Sequence, residues 1–213
     1  MVWYGMDTFD ESTSGGKAKR AYRGHVQAEV RALTRQRIID AMMGFFAEAW
    51  IDQITLDQVA QQAGVTVQTI LRHFGTKEAL VAAAARQLID AENARRAELP
   101  IDDLDSAITY LMKQYEAAGD QLMRALAQEG RYPGIATFME EGRLGHRTWV
   151  ERVFGPYLHR QSGEDRDRLL AQLVAVCDVY MWKLLRRQAG LSREQTALAI
   201  RELVLPLLAD RPG

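Results

Sequence analysis

Ile54-Thr-Leu-Asp-Gln-Val-Ala-Gln-Gln-Ala-Gly-Val-Thr-Val-Gln-Thr-Ile-Leu-Arg-His-Phe74 is the stretch on which the fold turns. Thr55 followed three residues later by Gln58 is a capping box: the hydroxyl accepts from an orphan amide while the Gln reaches back to the Thr amide. Ile54 and Val59 occupy the two positions of a hydrophobic staple, so the start of this helix is specified twice. Ala60 permits close helix crossing. Gly64 can take the left-handed backbone that ends a helix and reverses the chain. Thr66 then caps a second short helix with Ile70 and Phe74 on its inward face. Val67, Gln68, Thr69, Leu71, Arg72 and His73 are left facing outward.

Two short helices about a tight Gly turn are the pattern of a helix-turn-helix, whose second helix enters the DNA major groove. The alternative is a helical hairpin buried in a larger bundle. Outward from this core, the pattern is helical from about Ala32 nearly to the end, with no convincing β alternation. An all-α chain of about nine helices is predicted. A first helix covers about Thr34–Ala49 with Ile38, Met42, Phe45 and Phe46 on one stripe. Others fit 56–62, 67–73, Lys77 to about Glu98, 102–117, 120–128, 134–152, 165–188 and 193–207. Residues 1–31 read as a flexible tail with a basic segment at 17–23, 32–80 as the helix-turn-helix domain, and 81–213 as a second helical domain.

The 213 residues are 47% hydrophobic and 26% charged, an ordinary globular composition. One cysteine, Cys177, excludes an intrachain disulfide and a multi-thiolate zinc site. Without a secretory pattern or about 18 consecutive apolar residues, a cytoplasmic protein with no membrane partner is expected. The net charge of −1 argues against coating nucleic acid by bulk charge. Its distribution is uneven: residues 17–80 carry nine bases against six acids, whereas 81–213 carry 18 bases and 19 acids.

The run Thr34-Arg-Gln-Arg-Ile-Ile-Asp-Ala-Met-Met-Gly-Phe-Phe-Ala-Glu-Ala-Trp50, then Ile54-Thr55, Val59-Ala60, Ala63-Gly64-Val65-Thr66 and Arg72-His-Phe-Gly-Thr-Lys-Glu-Ala-Leu80, resembles the DNA-binding domain of the tetracycline-repressor (TetR) family. The resemblance covers about Thr34–Val81. It implies a dimeric, ligand-responsive transcriptional regulator, usually a repressor, with a variable helical effector domain behind the DNA reader. Two positions depart from the family pattern. Leu71 stands where a Tyr commonly contacts the DNA backbone, and offers instead an apolar contact for a thymine methyl. Trp50 replaces the Gly that usually ends the first helix.

Within this frame Val67, Gln68, Leu71 and His73 are the base-edge candidates, Thr55 and Thr69 phosphate candidates, and Arg72 fits either role; Thr66 joins them as the cap of the second helix. Thr76 is the expected cap of the helix that begins at Lys77, a cation at the positive end of a helix dipole. A phosphate there would meet the free amides, the Thr76 hydroxyl and the Lys77 ammonium together. Lys17, Lys19, Arg20 and Arg23 are candidates for an arm along the DNA backbone or minor groove. The expected partner is a palindromic double-stranded operator.

Tyr110, Tyr115, Phe138, Trp149, Tyr180 and Met181 fall in a region, 104–182, rich in aromatics and methionines. They read either as core or as a pocket for a small hydrophobic or amphipathic effector. Helices 165–188 and 193–207 carry apolar stripes wider than one core contact needs, which suggests a homodimer face, and the resemblance implies a four-helix interface there. No glycine-rich phosphate loop, Gly-x-Ser-x-Gly elbow or His-Glu-x-x-His motif occurs, so no enzyme, catalytic residue, cofactor or metal site is expected; His146 and His159 have acids nearby in sequence, as most surface histidines do. The alternative function is a helical interaction or ligand-sensing protein with weak or lost DNA binding.

Overall fold

The structure is a computed structural model that describes residues 12–100 and 103–209, with side chains given from Tyr22 and Ala47 excepted. Among the described residues ten α-helices follow one another: α1 Ser12–Glu48, α2 Leu56–Ala63, α3 Val67–Phe74, α4 Lys77–Ala97, α5 Leu104–Gln128, α6 Pro133–Val153, α7 Gly155–Leu158, α8 Gly163–Val176, α9 Val179–Trp182 and α10 Arg193–Leu208. A 3-10 turn at Ile51–Gln53 joins α1 to α2, and a π-helical segment, Lys183–Gln188, continues α9. No strand occurs among the described residues.

The helix-turn-helix forms as its sequence specifies. Thr55 Oγ1 accepts from Gln58 N and Gln58 Oε1 accepts from Thr55 N, while Ile54 and Val59 are buried. Gly64 caps α2 with φ 64°, a conformation that costs a residue with a Cβ far more than glycine. Thr66 Oγ1 accepts from Thr69 N at the start of α3. Ile38, Met42, Val59, Ile70 and Leu80 are fully buried in one core with Ile135 and Met139 of α6. That core therefore runs past residue 80 into the second half of the chain.

Three helix boundaries differ from the sequence expectation. The first helix begins at Ser12 rather than about Thr34, so the expected tail and basic segment are helical from Ser12 onward; Met1–Glu11 and the side chains of Lys17, Lys19 and Arg20 lie outside the described residues. Ala, Arg, Gln and Glu, good helix formers, dominate 27–37 and outweigh the Gly and Ser signal upstream.

Helices expected at 102–117 and 120–128 are one helix, α5. Gly119 does not break it, because Trp182 packs where a side chain would be: a Cβ at Gly119 would lie 2.5 Å from the indole ring. Conversely, the helix expected over 165–188 is interrupted at Cys177–Asp178. Tyr115 Oη donates to the Cys177 carbonyl (2.9 Å), and the Asp178 carboxylate caps α9 by accepting from Tyr180 N (2.9 Å). These two bonds compete with the helical ladder and restart the helix in a new direction. Pro206 lies inside α10, which ends two residues later.

Candidate functional site

α3 presents a mixed face. Gln68 and Arg72 are exposed, Thr69, Leu71 and His73 are half-buried, and Val67 packs partly against the N-terminal core. Thr55 and Thr76 are exposed at the N-termini of α2 and α4. Thr66 and Thr69 are engaged with each other, hydroxyl to hydroxyl at 3.0 Å. The structure thus gathers the predicted residues on the α3 face and on the helix starts beside it.

Sequence reasoning missed two cations. Burial first, and then the charges of Arg31, Arg72 and Arg35, hold the His73 imidazole below its ordinary value, which places the α1 arginines beside α3. The Arg35 guanidinium also sits over the Phe74 ring at 4.9 Å. Their i, i+4 spacing was a usable signal, since it puts both on one helix face.

Lys77 is also bound within the protein. Its Nζ donates to the Ile51 carbonyl at 2.5 Å and the side chain is half-buried. On its other side, Ile51 N donates to Oε1 of the buried Gln128 at 3.0 Å. The 3-10 turn is thereby pinned between the start of α4 and the end of α5.

Directly behind that turn is a cavity of about 350 Å³. Phe46, Ala49 and Ile51 close the end nearest the helix-turn-helix; Leu88 and Ile89 of α4, Leu122 of α5, Phe138 of α6 and Val179 of α9 supply the apolar walls. Of the six predicted pocket residues, Tyr115, Phe138 and Tyr180 line it. Tyr110, Trp149 and Met181 do not: Trp149 is buried in the C-terminal core, against which Tyr110 and Met181 pack. Tyr110 Oη instead donates to Glu92, and burial, reinforced by that carboxylate, pushes the phenol up to about 12.

Polar groups of the wall are mostly paired. Glu92 accepts from Gln114 and lies 3.0 Å from both Arg95 and Arg96, and Glu129 accepts from Arg143 at 2.6 Å. His146 is paired at one ring nitrogen. Its Nε2 lies 3.1 Å from the Val174 carbonyl, while its buried Nδ1 has no partner among the described residues.

Cys177 is buried, and burial pushes its thiol up to about 12, far from the reactive thiolate range. Among the described residues no cluster of three His, Cys, Asp or Glu side chains is placed to hold a metal ion, and no helix is long and apolar enough to cross a membrane.

Residues 38–84 match the family model described as bacterial regulatory proteins, tetR family. The HTH-type transcriptional regulator SrpR of Pseudomonas putida is 45% identical over 130 residues, 60% of this chain and 58% of that protein. The uncharacterized HTH-type transcriptional regulator TtgW, also of Pseudomonas putida, is 48% identical over 44 residues, 21% of this chain and 33% of that protein. The chain thus spans less than two thirds of the length of either curated relative. A transcriptional regulator from Rhodococcus sp. Rha1 superimposes with a TM-score of 0.66 at 20% identity, over 82% of this chain and 95% of that one. FadR from Bacillus subtilis, solved in complex with stearoyl-CoA, does so with a TM-score of 0.58 at 17% identity, over 80% and 97%. At such identities the likeness speaks for the fold.

Proposed function

We propose that this chain, whose residues 38–84 match the model of the tetR family of bacterial regulatory proteins, is a dimeric, cytoplasmic transcriptional repressor of that family, released from its operator by a small hydrophobic or amphipathic effector. The observation that carries this reading is the cavity's shared wall. Phe46, Ala49 and Ile51 of the DNA-reading unit face the same space as α4, α5 and α6. Occupancy acts on the turn whose backbone is held by Gln128 and Lys77, and so on the start of α4 just after the recognition helix. A change in the tilt of α4 alters the spacing of two recognition helices that must meet major grooves on one side of the duplex.

Gln68, Arg72 and Leu71 would meet base edges, with Thr55, Thr69, Thr76 and Lys77 on phosphates and Arg31 and Arg35 adding long-range attraction. Lys77 Nζ keeps two further N–H groups beyond its bond to Ile51, enough for a phosphate oxygen. Lys77→Ala is expected to weaken binding to all sequences and to flatten the slope of log affinity against log salt by about one. Gln68→Ala is expected to relax preference at one base pair with little change of slope. Operator titrations at several salt concentrations check both, and equal slope and specificity changes in the two variants would refute the division of roles.

A footprint on DNA flanking the protein's own gene locates the operator. With it in hand, ligands found by thermal shift are titrated against the complex. Coupling is reciprocal, so a ligand that lowers operator affinity must itself be weakened by operator by the same factor. Ligands that raise the melting temperature yet never change operator affinity would dismiss the release mechanism. A second reading, a ligand sensor without DNA grip, draws on the internal bond of Lys77 and on Leu71; failure to bind any flanking DNA would select it.

A further inference from the structure

α1 is longer than the unit it serves. Its buried residues begin at Ile38, yet the helix starts at Ser12, and every side chain from Tyr22 to Leu33 is exposed. At 3.6 residues per turn, Arg23, Arg31 and Arg35 lie within a sector of about 120° that also holds Ile38, Ala41 and Met42. The sector that covers the helix-turn-helix core is therefore continued upstream by arginines. Tyr22, Val26, Val30 and Leu33 fall on the other side of the helix. A sector that packed on protein would be apolar, whereas a basic one suits an anion.

Two contacts fix where this sector leads. The Arg35 guanidinium sits over the Phe74 ring at 4.9 Å. His73, held below its ordinary value by burial and then by Arg31, Arg72 and Arg35, has those three charges near it. α1 thus passes the C-terminal end of α3 at residues 31–35, beside the exposed Arg72, and Arg23 lies beyond that crossing. Arg23, Arg31, Arg35 and Arg72 form no ion pair among the described residues, whereas Arg86, Arg143 and Arg187 are each set against a carboxylate. We propose that α1 upstream of its crossing with α3 is a second DNA-binding element, a basic helix that takes the phosphate backbone outside the half-site read by α3. At 1.5 Å per residue Arg23 stands about 18 Å from Arg35, the rise of about five base pairs. The arginine fork meets phosphate oxygens whatever the sequence, so this contact adds affinity and register without specificity. The inference rests on α3 being the DNA reader and adds a contact beyond the reach of α3.

The test uses the full-length protein and duplexes centred on the footprinted operator. A short duplex ends at the outermost base pairs whose substitution changes affinity. A long one adds about one helical turn at each end, in two unrelated sequences. The wild type is expected to bind the long duplex about tenfold more tightly than the short, equally for both flanking sequences. Arg23→Gln, at an exposed position, is expected to bring that ratio within about twofold of unity. It is also expected to flatten the slope of log affinity against log salt on the long duplex by about two, one phosphate contact from each protomer of the dimer. Arg72→Gln is expected to weaken binding to both lengths and to keep the ratio. Hydroxyl-radical protection is expected to reach up to about five base pairs into the flanks with the wild type and to retreat with Arg23→Gln. Equal wild-type affinity for the two lengths, or a ratio that survives Arg23→Gln, overturns the inference and leaves α3 as the reader. A ratio that changes with the flanking sequence overturns the phosphate contact. Failure to footprint any DNA beside the gene removes the DNA-binding reading and the inference together.

Discussion

Leu184→Asp combined with Leu203→Asp is expected to yield a folded monomer that binds its operator about a thousandfold more weakly than the parent protein. The two leucines are 50% and 44% exposed, and Tyr180, Leu198 and Leu205 share the surface of α9, the π-helical segment and α10 with them. A cluster of this kind is seldom left to solvent on a monomer. Because both side chains point away from the core, which takes Leu185, Ile200 and Val204 instead, the substitutions leave the fold's own packing intact. In a symmetric interface each substitution occurs twice, so four carboxylates would meet at the contact, a heavy desolvation and repulsion cost. Once the dimer is lost, the second half-site is no longer presented at the millimolar effective concentration of a tethered partner, and the operator is held by one recognition helix only. Sedimentation gives the mass and operator titration the affinity. A dimer that persists in the double variant would place the interface elsewhere.

That surface also shows where the sequence was legible and where it was not. The helix-turn-helix could be read residue by residue because its determinants are local: a capping box, a staple and a glycine at φ 64° act within a few residues of one another. How the stripes along 165–188 divide between core and surface was not legible, because it depends on the remote Tyr115. Leu169 and Leu173 are buried, but beyond the break at Cys177 and through the wider π-helical turns Tyr180 and Leu184 emerge on the surface while Leu185 turns in. A 3.6-residue period cannot carry phase across a break made by a hydrogen bond from another helix.

The candidate site divided in the same way. Gln68, Arg72 and the threonine caps follow from the local pattern. The bond of Lys77 to Ile51, the presence of Arg31 and Arg35 beside α3, and the exchange of Trp149 for His146 at the cavity wall are all tertiary facts. Aromatic residues at helical spacing gave no means of telling wall from core.

Gly119 and Trp182 are expected to be the most sensitive pair in the C-terminal half. Trp182 is fully buried; its Nε1 donates to Glu116 Oε1 at 3.0 Å, an oxygen that also accepts from Arg186 Nε at 2.9 Å. Burial alone would raise the Glu116 carboxyl, but these two bonds with the charges of Arg186 and Arg187 hold it below the usual range. Removing the indole by Trp182→Ala leaves a large cavity and strips one bond from Glu116, at a cost of about 3–5 kcal/mol. In a chain of this size that lowers the melting temperature by about 10 °C. Gly119→Ala tests the same contact from the other side. Helix propensity alone favours alanine by about 1 kcal/mol, and Gly44→Ala, on the exposed surface of α1 with nothing within 4 Å of a new Cβ, is expected to stabilise by about that amount. At Gly119 the new Cβ would lie 2.5 Å from a ring locked in the core, so the sign reverses and the substitution is expected to destabilise by about 1–3 kcal/mol. Because the clash needs the indole, Gly119→Ala should cost far less on the Trp182→Ala background, and the double-mutant cycle should be strongly non-additive. Equal stabilisation by Gly44→Ala and Gly119→Ala in thermal melts would show that α5 and α9 do not approach as closely as this structure has them.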